Sequence, residues 1–266
     1  MSGPYLAGGI FSARQNVQTY LLNFLNVHIL LFGGVTAYNS YWDKDKGPIG
    51  GLKHPPKMEG WMLYAAWALQ ILGILLGLSL GAYFTLFFAI SILLFWLYSS
   101  PNVRLKEKPI ASLVTISLAT AFTSFYLGYF ALGAQSITVT SVLAAIGATL
   151  IIASMYPLSQ LYQILQDKQK RHNTFTAVFG TKGARTVYLC CYPAGLLLMT
   201  FSLTKINIMA AVIFFGISAL TGFVVYLIMR KLKGIISEYA VIMRIKYVCG
   251  CTFSLFFLIL MLLRLA

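Results

Sequence analysis

Residues 27–57 read VHILLFGGVTAYNSYWDKDKGPIGGLKHPPK, and within this stretch the chain passes abruptly from apolar to polar residues. The part up to Val35 has the composition of a segment that lies in lipid or in a buried core. The part that follows contains Asn39, Asp43 and Asp45 among several lysines, although the whole chain has only six acidic residues. The presence of two rare acidic residues at the end of an apolar segment suggests that this end has a function.

The composition of the 266 residues predicts a membrane protein. Hydrophobic residues make up 59% of the chain and charged residues 10%, whereas soluble domains carry roughly 25% charged residues. Mean hydropathy is +0.80. Apolar runs of about 20 residues, the length that crosses a bilayer, occur at about 17–38, 60–80, 82–98, 109–133, 138–165, 186–204, 207–229 and 245–263. We therefore expect an all-α membrane protein, with residues 1–266 as a single integral-membrane domain. Residues 1–16 are too short to span, and form either a tail or the end of a helix whose beginning is missing.

The net charge of +14 is distributed unevenly over the chain. Alternating the eight segments across the membrane places the loops 39–59, 99–108, 166–186 and 230–246 on one side, and these loops hold 17 of the 20 Lys and Arg residues. By the positive-inside rule this side is cytoplasmic, which favours a multi-pass protein of the cell (inner) membrane over a nucleic-acid-binding protein. All six acids lie on the same side. The rule makes no demand on acids, so their position indicates a separate role.

Three polar clusters lie on the predicted cytoplasmic side. In the first, Asn39 and Asp43 are one helical turn apart and offer oxygen ligands of the kind that Mg²⁺ prefers. Asp45 returns to them if the chain folds back after Gly47, and Lys53 lies in the same loop. In the second, Tyr98 and Ser99 end a helix, and Arg104 and Lys106 follow as candidates for a phosphate clamp. The simpler interpretation of each cluster is a polar helix end or a basic loop without further function.

The third cluster lies on one stripe of an apolar helix. Gln160, Gln163 and Asp167 are spaced three and four residues apart and are expected to face the bundle interior or a cavity rather than lipid. Arg171 and His172 follow. Together, the clusters offer oxygen ligands for a hard cation and positive charge for phosphate at one face of an apolar bundle. This combination suits a diphosphate bridged by Mg²⁺ and carrying a long apolar tail, that is, a polyprenyl diphosphate.

The motifs NSYWDKD, YSSPNVRLKEKP and YPLSQLYQILQD…TFTAVFG resemble, in order and spacing, the signatures of the UbiA superfamily of intramembrane prenyltransferases. The resemblance implies a bundle of eight to nine transmembrane helices around a central cavity open to the lipid. It implies that Asn39, Asp43 and Asp167, with Asp45 nearby, bind Mg²⁺ and diphosphate. It further implies that Tyr98, Arg104 and Lys106 hold the diphosphate, and that Gln160 and Gln163 line the cavity below it. The expected reaction transfers a prenyl group to an acceptor.

The chain departs from the family pattern at two acids. Gly47, four residues after Asp43, stands where the family usually has an acid. Arg171 and His172, four and five residues after Asp167, stand where the family usually has another. Either these cations bind phosphate directly and reduce the need for a second Mg²⁺, or catalysis is lost or changed.

The residues leave two other functions open: a terpene cyclase without an acceptor, and a non-catalytic lipid-binding or transport protein. The acceptor and the prenyl chain length are not specified.

Overall fold

The computed structural model describes residues 2–12, 16–44, 54–169 and 172–265. Within these residues the chain forms nine main helices and no strand. A short helix comes first, followed by eight helices that are long and apolar enough to cross a membrane. Their bounds are α1 Ser2–Phe11, α2 Val17–Asp43, α3 Gly60–Leu80, α4 Ala82–Ser99, α5 Pro109–Ala131, α6 Val139–Gln169, α7 Phe175–Thr204, α8 Ile208–Lys231 and α9 Ile236–Arg264. The predicted eight-to-nine-helix fold is confirmed.

Two helices begin well before the predicted spans. The sequence places the start of the sixth span near residue 186 and of the eighth near 245, whereas α7 begins at Phe175 and α9 at Ile236. Charged residues such as Lys182 and Arg185 end a hydrophobic window but are good helix formers, so the helix continues beyond the apolar part. Gly180, with φ of 60°, interrupts α7 near its start.

The outward surface of the bundle is apolar. On α8, for example, a series of large side chains is exposed: Ile208, Met209, Val212, Leu220 and Phe223. A soluble monomer rarely exposes a contiguous apolar surface of this kind. The exterior is therefore suited to lipid, and the eight spans agree with a multi-pass membrane protein.

The short helix α1 is buried in the bundle and packs on α5 and α9. It crosses α5 at two glycines with almost no space between the backbones. A Cβ on Gly8 would lie 1.8 Å from the Phe125 carbonyl oxygen, and a Cβ on Gly128 would lie 1.9 Å from the Tyr5 carbonyl oxygen. Side chains at either position would force the helices apart, so this crossing depends on both glycines.

Polar contacts fix α1 at the end of the bundle opposite to the polar clusters. The hydroxyls of Tyr5 and Tyr20 each donate to the other residue's carbonyl oxygen, at 2.8 and 3.2 Å. Arg264, in the last turn of α9, donates to the carbonyl oxygens of Ile10 and Ser12. The Ile10 carbonyl belongs to the last turn of α1 and the Ser12 carbonyl comes directly after the helix, where a cation is favourable. Residues 1–16, predicted as a tail or a partial helix, thus contain a helix that belongs to the bundle core.

The path of α2 brings Asn39 and Asp43 to the other end of the bundle. The helix includes a π-helical segment, Asn26–Leu31, and the side chain of Asn26 donates to the Gly73 carbonyl oxygen of α3 at 3.1 Å. Directly before Asn39, Tyr38 stacks on Trp96 of α4 with ring centroids 5.8 Å apart. The C-terminal ends of α2 and α4 are therefore held side by side.

Candidate functional site

A polar cavity of about 160 Å³ lies where the ends of α2, α4 and α6 meet. Residues from all three predicted clusters line it, although they are far apart in sequence. The lining residues are Asn39, Asp43, Tyr98, Arg104, Lys106, Glu107, Gln160, Gln163, Gln166, Asp167, His172 and Thr174. The carboxylates of Asp43 and Asp167 thus share one cavity.

The two oxygen ligands of α2 are both engaged by α4 and its following loop. Ser99 Oγ donates to Asn39 Oδ1 at 2.7 Å, and Lys106 Nζ forms an ion pair with Asp43 Oδ1. Ser99 is buried beneath the cavity rather than exposed to it. Ser99, which the motif also made a candidate for substrate binding, thus orients Asn39 in this structure, and its contact with a substrate stays a prediction.

Left-handed backbone conformations occur next to both partners of the ion pair. Lys44, which follows Asp43 and ends α2, has φ of 47°, and Arg104 has φ of 44°. These values are uncommon for residues with a Cβ and cost free energy. Arg104 precedes a single 3₁₀ turn, Leu105–Glu107, and this turn directs Lys106 at Asp43.

The loop between α4 and α5 also carries an acid that the sequence analysis did not assign to the site. Arg104 Nε lies 2.9 Å from Glu107 Oε1, and His172 Nε2 lies 3.8 Å from the same oxygen. Burial lowers the pKa of Lys106 from its ordinary 10.5 to about 8, because the ammonium loses hydration, and the charge of Glu107 offsets part of this effect. The loop presents Arg104 and Lys106 to the cavity, and the carboxylate of Glu107 forms an ion pair with Arg104.

A hydrogen-bonded chain of side chains forms the α6 wall. Tyr156 OH lies 2.8 Å from Tyr98 OH, and Gln160 Nε2 donates to Tyr156 OH at 2.8 Å. The side-chain amide oxygen of Gln160, Oε1, is buried and has no hydrogen-bond partner among the described residues. An orphaned buried acceptor is costly, so this atom indicates a ligand with positive charge or a donor group.

Asp167 is connected to the start of α7. Thr174 Oγ1 donates to Asp167 Oδ2 at 2.7 Å and also accepts from the Ala177 backbone N–H at 3.4 Å. A threonine at this position caps the helix, so one hydroxyl both begins α7 and orients the carboxylate. The backbone N–H of His172 donates to the Asp167 carbonyl oxygen at 2.8 Å, and the side chain of His172 lines the cavity.

The structure brings together most of the predicted site residues. Nine line the cavity: Asn39, Asp43, Tyr98, Arg104, Lys106, Gln160, Gln163, Asp167 and His172. Asp45, Lys53 and Arg171 lie outside the described residues. Three further residues at the site, Glu107, Gln166 and Tyr156, were not predicted from the sequence. Gln166 is three residues after Gln163, so the helical spacing could have identified it, but no pattern distinguishes Tyr156 among 16 tyrosines.

Two acids on the same side of the bundle serve helix ends instead. Glu238 accepts backbone N–H bonds from Lys233 and Gly234, both at 2.8 Å, in the turn before α9. Glu59 precedes α3 and accepts from Trp61 Nε1 at 3.0 Å. Three of the other acids, Asp43, Glu107 and Asp167, line the cavity. The acids on this side of the bundle therefore have two roles, some at helix ends and some in the site.

The donor set of the cavity fits a hard divalent cation. Among the described residues no three His, Cys, Asp or Glu side chains form a metal-binding group. Instead, the oxygens of Asn39, Asp43 and Asp167 line the cavity together with the unpartnered oxygen of Gln160. Mg²⁺ prefers oxygen and is commonly held by one or two carboxylates plus substrate phosphates. The residues suit Mg²⁺ that is shared with a phosphate ligand.

The fold is similar to that of a UbiA homolog from Archaeoglobus fulgidus. The structure of that protein bound to GPP and Mg²⁺ has a TM-score of 0.76 with this chain at 16% identity, covering 97% of this chain and 93% of that chain. Its complex with DMAPP and Mg²⁺ has a TM-score of 0.72 at 16% identity, with the same coverage of both chains. No curated protein matches the sequence. A sequence profile of the UbiA prenyltransferase family matches residues 1–235, and the chain therefore belongs to the UbiA prenyltransferase family.

Proposed function

We propose that the protein transfers a prenyl group from an allylic prenyl diphosphate to a lipid-soluble or aromatic acceptor, in a reaction that depends on Mg²⁺. Family membership supports prenyl transfer in general, and the relative from Archaeoglobus fulgidus binds GPP and DMAPP with Mg²⁺. The observation that carries the proposal is the single cavity shared by Asp43 and Asp167, with Arg104 and Lys106 beside them.

The residues of the cavity divide into two groups by charge. Asn39, Asp43 and Asp167 would hold Mg²⁺, and the orphaned Gln160 oxygen adds a further donor. When bound, Mg²⁺ supplies positive charge that stabilises the departing diphosphate. Arg104, Lys106 and His172 donate hydrogen bonds to the phosphate oxygens and share that task. The sequence lacks the family's usual acids at Gly47 and at Arg171–His172. With fewer acids to bind metal, protein cations neutralise a larger share of the diphosphate charge in this proposal.

The reaction follows from this distribution of charge. The bond between the allylic carbon and the diphosphate oxygen breaks, and both electrons leave with the diphosphate. The allylic cation that remains would be stabilised by an aromatic face, and we assign this role to Tyr98 because it lines the cavity. The acceptor then supplies an electron pair for the new bond and releases a proton. The apolar bundle keeps water away from the cation until that step.

We also infer the orientation in the membrane. The loops at the cavity end hold 17 of the 20 Lys and Arg residues, so this end faces the cytoplasm by the positive-inside rule. The prenyl diphosphate then enters from the inner leaflet of the cell membrane, and diphosphate leaves into the cytoplasm. Residues 1–266 act together as one membrane domain in this proposal.

The test uses the full chain purified in detergent. Geranyl diphosphate and longer allylic diphosphates are added with Mg²⁺, and thermal protection is measured with and without EDTA. We expect Mg²⁺-dependent protection that is lost in Asp43→Asn and Asp167→Asn and retained in Glu59→Gln, since Glu59 only contacts the start of α3. Diphosphate release is then measured with aromatic and lipid acceptors. Equal protection in all variants would contradict the proposed site. Cyclised products formed without an acceptor would show that the protein is a terpene cyclase and not a transferase.

A further inference from the structure

The side-chain oxygens of Asn39 and Asp43 on α2 already have partners from the protein. Asp43 Oδ1 is paired with Lys106, and Asn39 Oδ1 accepts from Ser99. Both partners come from the end of α4 and the loop that follows it. A divalent cation that binds Asp43 therefore competes with the ammonium of Lys106 for the negative charge of this carboxylate.

The ion pair is protected from solvent and held by the backbone. The side chains of Lys106 and Asp43 are 12% and 16% exposed, so water screens their attraction little. The turn that carries Lys106 is closed by hydrogen bonds from Arg104 N to the Ser100 carbonyl oxygen at 2.8 Å and from Glu107 N to the Arg104 carbonyl oxygen at 2.9 Å. The backbone of this turn thus holds Lys106 at a position from which its side chain reaches Asp43.

A diphosphate changes this competition. Its oxygens accept hydrogen bonds from an ammonium, and Lys106 lines the same cavity as Asp43 and Asp167. When Lys106 moves to a phosphate oxygen, the Asp43 carboxylate becomes available to the metal. Removal of one partner from a shielded ion pair without replacement is costly. When both ligands bind, the metal replaces Lys106 as the partner of Asp43, and the diphosphate replaces Asp43 as the partner of Lys106.

We propose that Lys106 is a built-in competitor for the Asp43 carboxylate, so that a divalent cation binds tightly only together with a diphosphate. This inference rests on the proposed function, because it specifies how the same site admits its metal. It assigns Lys106 a positioning role in the order of binding, in addition to contact with the diphosphate.

The experiment measures metal affinity and does not depend on turnover. Mn²⁺ is titrated into purified full-length protein and free Mn²⁺ is followed by electron paramagnetic resonance, with and without inorganic diphosphate. The variants are Lys106→Met, Lys106→Arg and, as a matched control in the same loop, Lys108→Met, because Lys108 is exposed and does not line the cavity.

For the wild type we expect weak Mn²⁺ binding that becomes at least about tenfold tighter with diphosphate. Lys106→Met should bind Mn²⁺ alone about five- to tenfold more tightly than the wild type and lose most of the enhancement. Lys106→Arg and Lys108→Met should resemble the wild type. Addition of Asp43→Asn to Lys106→Met should abolish the gain.

Unchanged or weaker Mn²⁺ binding in Lys106→Met would overturn the proposal. If that variant does not give a monodisperse protein, Lys106→Gln removes the charge while keeping a donor for Asp43, and the same outcomes apply. A failure of the proposed function is seen separately: the wild type would then give no Mg²⁺-dependent protection by prenyl diphosphates, whereas the Mn²⁺ titration with inorganic diphosphate would still decide the competition.

Discussion

Thr174 donates a hydrogen bond of 2.7 Å to Asp167 Oδ2 and thereby ties the start of α7 to a cavity carboxylate. Thr174→Val removes the bond to Asp167 and the cap of α7 at once. We expect prenyl diphosphate affinity to fall about threefold to tenfold and stability to fall by about 1 kcal/mol, the usual effect of a lost cap. Both are measured by thermal shift with and without ligand. Thr186→Val is the control, because the Thr186 hydroxyl bonds only to the Lys182 carbonyl oxygen of its own helix.

Diphosphate binding should weaken as pH rises through about 8. The pKa of Lys106 is lowered to about 8 by burial, so its ammonium is charged below this pH and neutral above it. Loss of one charge-assisted hydrogen bond corresponds to about a tenfold fall in affinity between pH 7 and pH 9. Calorimetric titration at constant Mg²⁺ measures it. Lys106→Arg should show a flat profile, since guanidinium stays charged, and an equally steep profile in that variant would refute the assignment.

Substitution of Tyr156 tests the wall of α6. Tyr156→Phe removes the acceptor of Gln160 and the partner of Tyr98, both at 2.8 Å. We expect kcat/KM for the prenyl diphosphate to fall about tenfold while Mn²⁺ affinity changes little, because Tyr156 is not among the metal donors. Tyr188→Phe is matched to it: it loses a 2.9 Å bond to the Gly222 carbonyl oxygen, far from this cavity. Similar losses in both variants would indicate a general effect on stability.

The crossing of α1 and α5 should tolerate no side chain. Gly8→Ala and Gly128→Ala place a methyl group within 2 Å of a backbone carbonyl oxygen, and we expect each to destabilise the protein by about 3 kcal/mol. Unfolding in detergent, followed by circular dichroism, measures the effect. Gly216→Ala on α8 has no atom within 4 Å of the new methyl group, so it should be neutral or slightly stabilising.

Hydropathy predicted the spans because lipid imposes a length and an apolar composition on each helix. It could not predict where α7 begins, since Lys182 and Arg185 are compatible with a helix outside the apolar layer. The cavity residues with a helical spacing, such as Gln160, Gln163 and Asp167, were found from that spacing. Their roles as ligands remain predictions.

The missed features depend on contacts between distant segments. Glu107 lies in a loop whose basic residues satisfy the positive-inside rule by themselves, so its place beside Arg104 and His172 was not visible in the sequence. Tyr156 is one aromatic residue among many. Gly8 and Gly128 meet only because two helices cross there, and one sequence offers no signal that pairs them.

The contact of Arg264 with the carbonyl oxygen of Ser12 has a consequence for biogenesis. The two residues are separated by 252 positions, so α1 leaves the ribosome well before α9 and obtains this partner only after the intervening helices have been made. Until then α1, whose ten residues measure about half a bilayer, must wait without its final neighbours. Assembly of the bundle around α1 is therefore completed only when α9 has been inserted, and a substitution of Arg264 would affect the position of α1.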